Sequence, residues 1–422
     1  MVLGHAIGPV DAIRAMVDPA APRPEAPWNV LQADSLLQFR VWRGLVFEGW
    51  GQGILPTWNP YSLLGTPLLA NSQSGALYPP HIVVGVLHIP LDRAIALLAW
   101  FHLALAGVGT YRLCRASGTD RTSAFLGGSG FMFSAFLIAW VPLASVPSTV
   151  GWIPWLLLFV QLRRFVPLAL VTGMMILAGH LQFAVYGLIA AGIFALASGG
   201  WRMLPAIGVG LLLAAAHLLP VYKFSQSSHR RGVVTAEGAE AYARSAIQPW
   251  QLGILGAPAA NGLPQVAAPV EGIQVGGYWP SVVKVGDNFA EGAIGLSPVA
   301  FALLAVVPWR DRRVWGVAGV ATVGLLLALP TALPRLLYTT LPGWSATGSP
   351  GRAAVLFVMG GSVLGAIGFS RLRVHSSPIV LRRLVGGAVG VGLSAILCPL
   401  LTPANAFGVG EESFAAWRMS VL

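Results

Sequence analysis

Long apolar runs separated by short polar turns dominate the chain. Ser123–Ala144, Phe165–Gly179 and Val314–Pro330 carry no charged residue at all. Each of these runs is close to the roughly 20 residues that cross a bilayer core as a helix. Lipid offers no partner to backbone N–H and C=O groups, so such runs are helices rather than strands. The pattern predicts ten spans, at 94–113, 123–142, 148–162, 165–180, 183–198, 203–221, 291–308, 314–330, 352–370 and 384–402. Those at 148–162 and 165–180 are short enough to form one tight hairpin. Ahead of them, the apolar spacing in Val30–Trp50 fits an amphipathic helix lying on the membrane surface. The stretch 55–80 is dense in Pro, Gly, Asn and Ser and reads as a folded loop.

Composition supports this picture. Of the 422 residues, 55% are hydrophobic and 10% charged, against about 25% charged in a soluble domain. The net charge of +11 comes almost wholly from arginine. In a soluble protein it would suggest nucleic acid. Here Arg112, Arg115, Arg121, Arg163, Arg164, Arg202, Arg310, Arg312, Arg313, Arg371, Arg373, Arg382 and Arg383 fall in alternate loops. The positive-inside rule makes those loops cytoplasmic, and nucleic acid is not an expected partner. Cys114 and Cys398 are too few for a disulfide framework or a zinc site and read as small apolar residues, Cys114 on the cytoplasmic side.

The resulting organisation is an exoplasmic first loop over 1–92, a transmembrane bundle over 93–221, an exoplasmic loop over 222–290, a second bundle over 291–402 and a tail over 403–422. Met1–Pro9 reads like the end of a hydrophobic helix, so a further helix is expected upstream. Most of the chain outside the membrane is predicted on one face, and loops carry function more often than scaffold helices do.

The first loop holds Ala33-Asp34-Ser35-Leu36-Leu37-Gln38, then Trp58-Asn59-Pro60, Gly65-Thr66-Pro67-Leu68-Leu69-Ala70 and Tyr78-Pro79-Pro80. Later come Gly179-His180-Leu181-Gln182, Leu218-Leu219-Pro220 followed by Ser225 and Ser228–Arg231, Glu291–Gly295, and Ser349-Pro350-Gly351-Arg352. The ordered set resembles the bacterial YfhO-like membrane protein family, which looks like the GT-C glycosyltransferases. The resemblance runs over about residues 30–370. It implies an all-α, GT-C-like bundle of about ten transmembrane helices, with short interfacial helices in its exoplasmic loops. It also implies a multi-pass protein of the bacterial cytoplasmic (inner) membrane. The implied activity is transfer of a sugar from a polyprenyl-phosphate-linked donor to a cell-envelope polymer, lipid or protein on the exoplasmic face. Donor, acceptor and membrane lipids are then the partners.

Such a transfer needs a carboxylate at the acceptor and cations at the phosphate. Asp34 is the natural carboxylate, either as the base that takes the acceptor proton or as a ligand of a divalent cation, Mg2+ or Mn2+. Glu48 and Asp287 are weaker candidates. Lys223, Arg230, Arg231, Arg244, Lys284, Arg335 and Arg352 depart from the cytoplasmic clustering, and Arg suits phosphate through its bidentate fork. Lys223, Arg230, Arg231, Arg352 and His180 form the expected donor-phosphate set. Gln38, Trp58, Asn59, Asn71, Gln73, Tyr78 and Gln182 are the expected substrate contacts, since aromatic faces stack on sugars and amides bond hydroxyls. His217 and His102, within predicted spans, are candidates by the rule that intramembrane ionisable groups tend to be functional. For each, the competing reading is structural: a cap, an interfacial anchor or a solvated charge. A transporter or flippase of lipid-linked precursors and a non-catalytic assembly protein are the alternative functions. The transporter reading predicts inverted repeats, and the sequence shows no clear internal repeat and few intramembrane charges; the assembly reading predicts that loss of Asp34 is tolerated.

Overall fold

In a computed structural model of the chain, the structure describes residues 33–227, 234–257, 296–311, 314–375 and 377–401, together with 14, 18 and 20. The elements are α1 (Val41–Gly51), preceded by a π-helical turn over Ser35–Arg40, β1 (Trp58–Asn59), β2 (Thr66–Pro67), α2 (Pro79–Val86), α3 (Leu91–Ala116), α4 (Arg121–Met132), α5 (Ala135–Trp140), α6 (Ser145–Val150), α7 (Ile153–Gln161), α8 (Phe165–Leu177) and α9 (Leu181–Ala197). They continue with α10 (Leu204–Leu213), α11 (Ala215–Ser225), α12 (Ala236–Arg244), α13 (Pro298–Leu303), α14 (Trp315–Ala328), α15 (Ala332–Thr340), α16 (Val355–Val374) and α17 (Pro378–Leu401). The two strands form one short antiparallel ladder, Trp58 opposite Pro67 and Asn59 opposite Thr66.

The chain is thus a helical membrane protein, and its described residues do not by themselves reproduce the ten spans that the hydropathy pattern predicts. Among the described residues, four helical stretches are long and apolar enough to cross a membrane: Leu91–Ala116, Arg121–Trp140, Pro350–Val374 and Pro378–Leu397. The count rises to six if each of two bent pairs is one span. Trp201–Leu213 and Ala215–Ser225 meet at 69°, and Trp315–Ala328 and Ala332–Thr340 at 76°. Pro330 lies in the second break, where it supplies no N–H and disfavours helix in the residue before it. The runs at 165–180 and 183–198 form helices of 13 and 17 residues, and 148–162 is divided between α6 and α7. The first part of the run at 291–308 lies outside the described residues.

Contacts divide the chain into two compact units. The first comprises Met1–Ile13, Leu31–Gly109 and Trp140–Arg231; the second comprises Arg14–Val30, Thr110–Ala139 and Gly232–Leu422. In the first unit, α1 was expected to lie on a membrane surface but is packed into protein along one face. Val46 and Phe47 bury against Leu68, Ala76, Val84 and Ala94. Pro79 and Pro80 start α2, where their missing N–H groups cost nothing. Gly210 lets α10 approach α8 so closely that a Cβ there would lie 2.6 Å from the Ala169 carbonyl oxygen, the small-residue packing expected between helices in lipid.

In the second unit, Asp120 caps α4 by accepting from the Thr122 and Ser123 N–H groups at 3.0 and 3.2 Å. It also pairs with Arg373 near the end of α16, Nη1 to Oδ1 2.6 Å. The Ser123 hydroxyl foremost, and Arg373 among lesser causes, lower the Asp120 pKa to about 2. Gly324 brings α14 against Leu356 of α16. Cys114 is a buried free thiol within α3, in keeping with its reading as a small apolar residue. Cys398 lies in α17. By contrast, Val385, Val389, Leu393 and Ile396 of α17 are exposed, as lipid-facing residues are.

Candidate functional site

The expected site residues divide among three places. Asp34, Gln38, Trp58, Asn59, Asn71, Gln73, Tyr78, His180, Gln182 and Lys223 belong to the first unit, and Arg352 to the second. Arg230 and Arg231, like Lys284, Asp287, the Glu291–Gly295 segment and the 403–422 tail, lie outside the described residues.

Asp34 lies in the helical stretch that leads into α1, half-buried, and accepts from Gln38 Nε2 at 2.8 Å. A residue four positions on is one helical turn away, so Gln38 orients the carboxylate. Its backbone is helical and its side chain makes no cap bond, so it is not the helix N-cap that its position would also suit.

The 55–80 loop is held from within. Asn59 is 1% exposed; its Nδ2 donates to Ser62 Oγ at 3.1 Å and its Oδ1 accepts from the Tyr61 N–H at 2.9 Å. Asn71 Oδ1 accepts from the Gln73 N–H at 3.2 Å. Trp58, 55% exposed, covers Gly65, whose φ of +115° and contact with the indole leave no room for a Cβ. Of the proposed sugar contacts in this loop, Trp58 therefore presents an open aromatic face, and Asn59 spends its amide on the loop itself.

Two far-apart motifs meet on this loop. Gly179 has φ +106°, and a Cβ there would lie 2.2 Å from the Ser72 carbonyl oxygen. Ser145 Oγ donates to Gln73 Oε1 at 2.9 Å, and Thr149 Oγ1 accepts from the His180 N–H at 3.1 Å. The Gly179–Gln182 turn is thereby seated on Ser72–Gln73. His180 is buried edge-on against Phe183, ring centroids 4.7 Å apart. Gln182, also buried, donates from Nε2 to Tyr186 Oη at 2.9 Å. Lys223 is exposed near the end of α11.

A buried polar cluster was not anticipated by sequence reasoning. Arg43 of α1 donates from Nη1 to the Ser74 carbonyl and lies 3.0 Å from His81 Nδ1, which itself approaches the Gly75 carbonyl at 2.8 Å. Trp50 Nε1 donates to the Ala76 carbonyl at 2.8 Å. Tyr78, fully buried, accepts from Trp152 Nε1 at 2.9 Å and meets His102 Nε2 at 2.9 Å. Burial lowers the Arg43 pKa to about 9, leaving it charged at neutral pH. Burial first, and then the Arg43 charge, push His81 well below the usual histidine value, so its ring is neutral. Burial raises the Tyr78 hydroxyl above its ordinary range. The readable signal was a lone cation in the otherwise apolar run Val41–Phe47.

Glu48 faces a groove of about 400 Å³ with Gln52 and His88, floored by Gly44, Gly51 and Gly85; its Oε1 accepts from Gln52 Nε2 at 3.2 Å. In the second unit, Arg352 sits in the turn Pro350–Ala354, capped by Ser349, whose Oγ accepts from the Gly351 N–H at 3.2 Å. The nearby Tyr242 hydroxyl accepts from Trp344 Nε1 at 2.9 Å, and burial raises its pKa. Among the described residues, no three His, Cys, Asp or Glu side chains come together as metal ligands.

No known protein family and no curated protein matches the chain. Among solved structures, it is similar to the arabinofuranosyltransferase AftD from Mycobacteria, with 14% identity and a TM-score of 0.46, over 89% of this chain and 27% of that one. The chain thus spans about a quarter of that protein's length.

Proposed function

We propose that the chain is a membrane glycosyltransferase that moves a sugar from a polyprenyl-phosphate-linked donor to a cell-envelope acceptor on the exoplasmic face. One observation carries the reading. The acidic helix, the W-N-P…Y-P-P loop and the G-H-L-Q turn, separated by up to about 145 residues of sequence, form one packed structure. Ser72–Gln73 receives the turn, and Ser74–Ala76 receives Arg43 and Trp50 from the acidic helix.

In this reaction Asp34, oriented by Gln38, takes the proton of the acceptor hydroxyl as its oxygen attacks the anomeric carbon. The bond from that carbon to the phosphate oxygen breaks, and the lipid phosphate leaves with the electron pair. Lys223, Arg230, Arg231 and Arg352 are its candidate counter-charges, and Trp58 offers the sugar a stacking face. The transporter and assembly readings predict no covalent product. Membranes carrying the chain, given labelled polyprenyl-phosphate sugar and an envelope fraction, should form a labelled acceptor that membranes lacking it do not. Label remaining wholly in lipid with every acceptor fraction would refute the proposal.

A further inference from the structure

Among the described residues, no carboxylate meets the charge of Arg43. Arg43 is 2% exposed, its Nη2 has no hydrogen-bond partner among the described residues, and its Nη1 meets a carbonyl and a neutral imidazole rather than a carboxylate. Removing a cation from water is unfavourable unless something compensates it. Beside it lies a cavity of about 20 Å³, lined by Arg43, His81, His102 and Ser148 among apolar side chains that include Leu98 and Ala99. One water-sized sphere occupies roughly 10–15 Å³, so the cavity suits a single small guest and excludes a phosphate ester.

The protons around the cavity can be assigned. Tyr78 Oη accepts the Trp152 N–H and gives its own proton to His102 Nε2. His102 therefore carries its proton on Nδ1, which the Leu98 carbonyl accepts and which lies a long 3.4 Å from Ser148 Oγ. Ser148 spends its own proton on the Ala144 carbonyl, 2.6 Å away. Among the described residues, the cavity wall thus has the Arg43 guanidinium, whose Nη2 is unspent, and no acidic side chain. We propose that this cavity is a site for a halide-sized monovalent anion, chloride in chemical type, held by the Arg43 guanidinium. The ion supplies the counter-charge and fixes α1 to the 72–81 segment. The site does not depend on the transferase reading, and its size keeps it distinct from any lipid-phosphate site.

The test uses the full chain in lipid nanodiscs at constant ionic strength, starting in sodium gluconate. Replacement by chloride or bromide should raise the unfolding midpoint saturably, by about 4 °C or more, whereas sulfate should not. Radioactive chloride should bind near one per chain and be displaced by bromide. Arg43→Met should abolish both effects. Ala99→Leu, which keeps the arginine and fills the cavity, should do the same and serves if Arg43→Met does not fold. A midpoint that follows ionic strength alone, as a water-filled cavity predicts, would overturn the proposal. So would halide binding retained in both variants.

Discussion

Gly179→Ala probes the contact that joins the two halves of the proposed site. The added methyl would meet the Ser72 carbonyl oxygen at 2.2 Å, and the residue would hold φ +106°. A non-glycine residue in such a backbone region costs about 1–3 kcal/mol, and forcing a methyl into a packed contact adds about 1–3 kcal/mol. The two together span about 2–6 kcal/mol; the obstructing atom is backbone, so no rotamer change relieves it, and about 3 kcal/mol is expected. For a unit of this size, about 1 kcal/mol moves the midpoint by roughly 2–4 °C. The variant should therefore unfold about 6–12 °C lower in nanodiscs. Gly192→Ala is the control. That glycine lies in α9 with nothing within 4 Å of an added Cβ, and alanine there should be neutral or stabilising by up to about 1 kcal/mol. Gly179→Ala melting with the control would refute the seating of the G-H-L-Q turn on Ser72.

Other consequences are equally direct. Trp152→Phe removes the indole donor of Tyr78 and should cost about 1 kcal/mol by denaturant unfolding, whereas no change would mean that the Tyr78–His102 pair stands without it. Asp120 has a folded pKa of about 2, below its unfolded value near 4. Its contribution is therefore full above about pH 4 and is lost as pH falls towards 2. Asp120→Ala should lower the midpoint at pH 7, by about 1 kcal/mol for the lost cap, and converge with the parent at low pH; an equal gap at both ends would contradict the capping. Trp58 is exposed, so a cysteine at that position should react with a membrane-impermeant maleimide from the exoplasmic side, and reaction only after permeabilisation would reverse the predicted orientation.

Much of the helical architecture was legible because lipid imposes one simple requirement, apolar residues in long uncharged runs. Span length was less legible. Hydropathy registers that 203–221 is apolar but not that its helix bends by 69° at Ala214. The site was readable in its motifs and less so in its roles. Asn59 and Tyr78 carry groups suited to a sugar. The loop that holds them folds inward, however, and its buried polar atoms must find partners inside the protein. Asn59 therefore bonds Ser62 and Tyr61, and Tyr78 bonds Trp152 and His102. Arg43 was missed because an arginine on an apolar helix of a surface loop reads as a snorkelling charge. Only the fold of 72–81 over it reveals a buried one.

The central claim is that Asp34 is the base of a sugar transfer. The direct measurement is the rate of label transfer from polyprenyl-phosphate sugar to acceptor by the parent and by Asp34→Asn, in preparations matched for quantity and unfolding midpoint. Asparagine keeps the shape and the capacity to meet Gln38 but cannot take the proton. The rate should fall by about 100-fold or more, with the midpoint unchanged. Equal turnover by the two would contradict the account.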